Sequence, residues 1–195
     1  NQLEYFSELF IARLAEKLGF PMARYELHEN YVRTLDFTNG NQFNFESAES
    51  LVGDNEFYDV NFEKFYSISK AIASDYLRMI YLDTICCNVD RHTKNYGVLR
   101  DINSGEIISL APNYDNNMAL ISRGYPSTPK SGDLLIRLLG ELMDEHPEYR
   151  KYLPTLSKDT VRTVLAKLNM RVKTQTVVDI VMGRYKLIVK QMIKA

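Results

Sequence analysis

Asp90, Asn95 and Asp115 are the residues whose types and spacing could move a phosphoryl group. Transfer from ATP needs a carboxylate to accept the proton of the attacking hydroxyl, and oxygen ligands to hold magnesium (Mg2+) against the phosphates. An aspartate, an asparagine five residues on and a later aspartate supply both. Spacing alone is weak evidence, because Asp36 with Asn41 and Asp83 with Asn88 repeat it. Asp36 falls at the end of a strand pattern with no later carboxylate in register. Asp83 falls inside a helical pattern, so its pair with Asn88 straddles a helix end. Only Asp90 opens a polar loop between a buried helix and a hairpin, from one end of which Asp90, Asn95 and Asp115 could project into a cleft.

Two further side chains in that loop are catalytic candidates. His92 could shuttle a proton or pack beneath the loop and orient Asp90, and the packing role is the commoner use of such a histidine. Lys94 could neutralise the transferred group or remain a solvated lysine. Asp83 and Asn88 are expected to brace the loop from behind. Asn116 and Asn117 either reach the nucleotide or bond their own turn, and Tyr114 is expected to pack. The three histidines are far apart and Cys86-Cys87 are adjacent, so neither has the spacing of a zinc site. A cysteine nucleophile is equally poorly supported on a buried helix.

These residues must be positioned by the elements around them. Apolar side chains at helical spacing over 3–18, stopped by Gly19 and Pro21, predict a first helix. Residues 22–28 and 31–37 predict a hairpin turning at Glu29-Asn30. The polar stretch 39–56 reads as a hinge containing a short helix. Residues 62–73 and 75–87 predict two helices divided at Ser74-Asp75, the second running straight into N-V-D-R-H-T-K-N. Strands at 96–99 and 106–110 enclose a turn at 103–105, and A-P-N-Y-D follows. Helices at 133–145, 157–168 and 174–193 complete the chain, separated by 122–132, Pro147 and Pro154. Lys186, Lys190 and Lys194 are expected on the solvated face of the last helix.

The segments N-V-D-R-H-T-K-N-Y-G-V-L and L-A-P-N-Y-D-N-N-M-A-L resemble the catalytic and metal-binding segments of HipA-like serine/threonine kinases, toxins of bacterial toxin-antitoxin pairs. The D-R-H-x-x-N core is shared with phosphatidylinositol-3-kinase-like enzymes, and A-P-N-Y-D points to the HipA side. The resemblance implies Asp90 as catalytic base, Asn95 as a magnesium ligand and Asp115 as the main one, with ATP as cofactor. S-E-L-F-I-A-R-L-A-E-K-L-G resembles the small-lobe helix whose glutamate pairs with an ATP-contacting lysine, and Glu8 is the matching position. The alternative for Glu8 is an exposed glutamate on an amphipathic helix. The implied fold is α+β and protein-kinase-like: a partial small lobe over 1–46, and a mostly helical large lobe with the catalytic-loop hairpin over 47–195. No G-x-G-x-x-G occurs, so the phosphate-covering loop and lysine strand are expected from an upstream segment or a separate small-lobe chain. Without them, weak ATP binding is expected.

Composition narrows the partners. The 195 residues carry 24 basic and 25 acidic side chains, a formal charge of -1, which gives no electrostatic reason to expect nucleic acid. No run approaches the roughly 20 apolar residues of a membrane span. Two adjacent cysteines suit a reducing, cytoplasmic setting. A protein substrate is expected, with an antitoxin as a further partner. The rivals are a small-molecule or lipid kinase using the same site, and a split or inactive kinase-like interaction module.

Overall fold

The computed structural model describes residues 1–29, 31–54, 57–126 and 132–194, the last without its side chain. Helix α1 (Gln2–Leu18) begins at a capping box: the Asn1 side chain accepts the N–H groups of Leu3 and Glu4, and Glu4 reaches back to Asn1. It ends at Gly19, whose φ of 74° is left-handed, a conformation that closes helices at little cost in glycine. β1 (Tyr25–His28) and β2 (Tyr31–Thr34) form the expected antiparallel hairpin, with His28 opposite Tyr31. The other expected turn residue, Asn30, lies outside the described residues, as do 127–131 of the separator before the fifth helix.

The stretch expected as a hinge contains a strand. β3 (Phe43–Ser47) pairs antiparallel with β4 (Gly97–Asp101), which pairs with β5 (Ile107–Leu110). Its polar composition hid it, because strand preference reflects fit to a pleated neighbour more than intrinsic backbone bias. Gly97 lies opposite Ser47, and a Cβ there would overlap the Glu46 carbonyl. Only glycine lets the two strands close where the polar loop meets the sheet.

The short helix α2 (Glu49–Val52) follows as expected, then α3 (Tyr58–Ile68) and α4 (Lys70–Cys86). The break between them falls at Ser69, not at Ser74-Asp75. Ser69 is extended and its hydroxyl caps the Ala71 N–H. The Ser74 hydroxyl instead donates to the Lys70 carbonyl at 2.7 Å and leaves the helix uninterrupted. α4 is buried on nearly every side, with Tyr76, Leu77, Ile80, Tyr81 and Ile85 among the least exposed side chains of the core. It ends at Cys87, the left-handed cap (φ 54°), while Cys86 is enclosed and burial pushes its thiol up. An inert thiol follows.

The remaining helices wrap this core. α5 (Leu134–Glu145) is capped by Asp133, a 3-10 turn covers Pro147–Tyr152, and Ser157 caps α6 (Lys158–Leu168). α7 (Thr174–Lys194) packs on α4, α5 and α6, while α1 lies against α6 and α4. Lys186 and Lys190 are exposed, as an outer helix face requires. No helix among the described residues is long and apolar enough to cross a membrane. The architecture is α+β, two small antiparallel sheets set against a helical body.

Candidate active site

The loop after α4 is built on Asp83. This buried carboxylate accepts Asn88 Nδ2 at 2.9 Å and the fork of Arg91, Nε at 2.8 Å and Nη2 at 2.9 Å. Arg91 then spends its other donors on the Asn95 carbonyl (3.1 Å), the Tyr114 carbonyl (2.9 Å) and Asn116 Oδ1 (2.8 Å). Burial alone would lower its pKa, and the Asp83 carboxylate more than offsets that. One guanidinium therefore joins the helix, the loop and the A-P-N-Y-D segment, a task suited to its planar set of five donors. Asp83 and Asn88 brace the loop as expected.

Asp90 is clamped by its backbone and open at its side chain. Its N–H donates to Asn88 Oδ1 at 3.2 Å and its carbonyl accepts Asn95 Nδ2 at 2.8 Å. Among the described residues nothing donates to its half-buried carboxylate, which lines a cavity of about 240 Å³ with His92, Tyr58 and the start of α5. His92 is half-buried, and its Nδ1 accepts the Lys94 N–H at 3.3 Å, so the ring shapes the loop beside Asp90. Lys94 is exposed and its Nζ pairs with Glu49 at 3.3 Å, while the Thr93 carbonyl accepts Ser47 Oγ and the Glu49 N–H. The loop is thereby pinned to β3 and α2. Asn95 is enclosed, and its Oδ1 accepts the His92 N–H at 3.2 Å with Arg91 Nη1 at 3.4 Å.

Asp115 lies beyond β5, where Met22 and Asn113 form a parallel bridge. Its φ is 58°. That left-handed conformation costs a residue other than glycine about 1–3 kcal/mol. Neighbouring bonds impose it. The Asp115 N–H donates to Tyr25 Oη at 3.2 Å, and Asn116 donates to Glu8 through its N–H (2.7 Å) and its Nδ2 (3.3 Å). Glu8 is buried on α1, not exposed, and burial raises its pKa against the opposing bonds from Asn116 and Tyr25, with the nearby charge of Asp115 adding to the rise. Among the described residues no lysine pairs with it. Tyr114 packs against both Phe37 and Phe45, with ring centroids 5.9 and 5.8 Å away, and those two rings also touch each other. Glu8, Tyr25, Tyr31, Tyr114, Asp115 and exposed Asn117 share a second cavity of about 500 Å³.

The structure thus brings Asn95 to Asp90 and Glu8 to the Asp115 turn. The two open aspartates face different cavities, and Arg91 links the segments that carry them. Tyr25 and Arg91 act in positions that spacing did not single out. The Asn116 side chain donates to Glu8 and accepts from Arg91, while its carbonyl accepts the Ala119 N–H within the turn. The only local signal was an arginine directly after the candidate base.

Comparison with known proteins is consistent with this geometry. The HipA-like C-terminal domain matches residues 1–180. The Helicobacter pylori proinflammatory kinase CtkA superposes on 98% of this chain and 87% of its own, with a TM-score of 0.70 and 15% identity. HipA of Shewanella oneidensis MR-1, solved with HipB and operator DNA, superposes on 96% of this chain at TM-score 0.51 and 16% identity. This chain covers 57% of that HipA. A search of curated proteins gave no match. The fold is kinase-like, and the match over 1–180 places the chain in the HipA-like C-terminal domain family.

Proposed function

We propose that this chain carries the catalytic portion of a HipA-like kinase that transfers the γ-phosphoryl group of magnesium-ATP to a serine or threonine hydroxyl of a protein in the cytoplasm. One observation carries the reading: Asp90 and Asp115 have backbones held by hydrogen bonds and carboxylates that accept none among the described residues. Fixed carboxylates left open to a cavity suit positioning and charge stabilisation, the main sources of rate in phosphoryl transfer.

The donor set fits magnesium through Asp115. No group of three acidic, histidine or cysteine side chains that could hold a metal occurs among the described residues. Magnesium does not need one, since it commonly takes one or two carboxylates and completes its shell with phosphates and water. Asn95 fits as a second ligand once its Oδ1 releases the 3.4 Å contact with Arg91. Bound magnesium would supply positive charge against the phosphates. Asp90 orients the acceptor hydroxyl and takes its proton, His92 holds the loop, and Lys94, exposed and paired with Glu49 at the loop surface, is the candidate to neutralise the transferred group. Glu8 and Tyr25 hold Asp115 in its turn. Residues 1–46 would form the small-lobe side of the cleft and 47–195 the large lobe. The Shewanella HipA is recorded with HipB, and an antitoxin or a chain completing the small lobe is proposed as a partner here.

The test is magnesium-dependent transfer from ATP by the natural polypeptide containing this chain, compared with Asp90→Asn and Asp115→Asn. Each variant is expected to lose about 10²–10⁴-fold in rate. Wild-type rates in both would sink the mechanism.

A further inference from the structure

The two cavities differ in a way that bears on the acceptor. The one beside Asp115 holds about 500 Å³. That is the size of a small-molecule site, roughly 300 to ~1000 Å³. The one beside Asp90 holds about 240 Å³, room for side chains and not for a nucleotide. Its rim is apolar and exposed: Val89, next to Asp90, is 64% exposed, and Leu134, opening α5, is 57% exposed. Among the described residues lining it, the one arginine, Arg91, is already bonded to Asp83. Asp133 is committed too. Both Nη atoms of the buried Arg184 donate to it at 2.7 Å, and Arg184 Nε donates to the Thr84 carbonyl. The first turn of α5 is therefore anchored to the end of α4, and Leu134 projects from a rigid wall.

We propose that this cavity is the acceptor subsite, and that it takes a serine or threonine in a polypeptide whose next residue is bulky and apolar. Val89 and Leu134 grip that neighbour while Asp90 meets the hydroxyl. The assignment rests on the reading of Asp90 as base. The hydroxyl oxygen bonds to the γ-phosphorus as the bond from that phosphorus to the β,γ-bridging oxygen breaks, the hydroxyl proton passes to Asp90, and ADP leaves. An anionic acceptor such as an inositol phosphate would meet the open Asp90 carboxylate, a like-charge contact that disfavours it.

Binding can be read without turnover. Methyl chemical shifts of this chain are followed while peptides bearing one serine, followed by leucine, alanine or glutamate, are added, with inositol phosphate as a separate probe. The serine-leucine peptide is expected to shift the Val89 and Leu134 signals and to bind about tenfold tighter than the serine-glutamate peptide. Leu134→Asp and Val89→Asp, both at exposed positions, should each erase that preference while circular dichroism shows the fold retained. Equal binding of the three peptides, no shift at either residue, or inositol phosphate binding there instead would overturn the subsite. Transfer by Asp90→Asn separates the two ideas: if it persists, the base assignment fails, and if it is lost while the peptides show no preference, the subsite alone fails.

Discussion

Asp83 and Asp90 lie seven residues apart, each five residues before an asparagine, and they meet opposite surroundings. Asp83 is enclosed, with both oxygens taken by Arg91 and one shared with Asn88. Asp90 has its main chain clamped and its carboxylate open to a cavity. The same spacing therefore yields a brace in one place and a reactive group in the other. What separates them is position on α4: Asp83 is within the buried helix, and Asp90 is past its left-handed cap at Cys87. The brace makes the open group usable, because the loop holding Asp90 is tied down by a guanidinium whose charge Asp83 balances.

The sharpest way to break this contrast is to truncate each aspartate. Asp83→Ala leaves Arg91 charged, buried and without its carboxylate, and is expected to cost about 3–5 kcal/mol in urea denaturation. Asp90→Ala should stay within about 0.5 kcal/mol of the parent while abolishing transfer. Similar stability losses in both would erase the distinction. A smaller effect is expected at the second open aspartate. Tyr25→Phe removes the acceptor of the Asp115 N–H, should cost about 1 kcal/mol, and should weaken magnesium binding measured by calorimetry, because the left-handed turn loses one of its restraints.

The smallest effect concerns Asp133, at the wall of the Asp90 cavity. Burial pushes its carboxyl up, but the Arg184 bonds and charge outweigh this and hold it below the ordinary aspartate range. A carboxyl depressed in the folded state contributes stability above its unfolded value, about 3.9, and that contribution is lost as pH falls through the folded value. The stability advantage of the parent over Asp133→Asn, followed by thermal midpoint, should hold from neutral pH to about 4 and shrink below it. A gap that widens on acidification would show that Asp133 is not held by Arg184 in this sense.

Local signals carried much of the fold. The caps of α1 and α6, the β1–β2 hairpin, the β4–β5 turn and the helical period of α4 are all set by residues within a few positions of one another. The break at Ser69 was misplaced because Ser69 and Ser74 are equally good caps on paper, and the hydroxyl of Ser74 turned back to the preceding helical turn. β3 was missed because its partner is β4, more than fifty residues away at Glu46 and Val98.

By itself the sequence determined most of the element types, β3 excepted, the polar loop at 88–95 and the candidacy of Asp90, Asn95 and Asp115, since each is written in neighbouring residues. The tertiary structure decided how the Asp115 turn is held and where the Arg91 guanidinium reaches. Those decisions rest on bonds across long separations, 108 residues from Asn116 to Glu8, 90 from Asp115 to Tyr25 and 25 from Arg91 to Asn116. A buried donor or acceptor must find its partner wherever packing brings one, and spacing along the chain carries no record of that meeting.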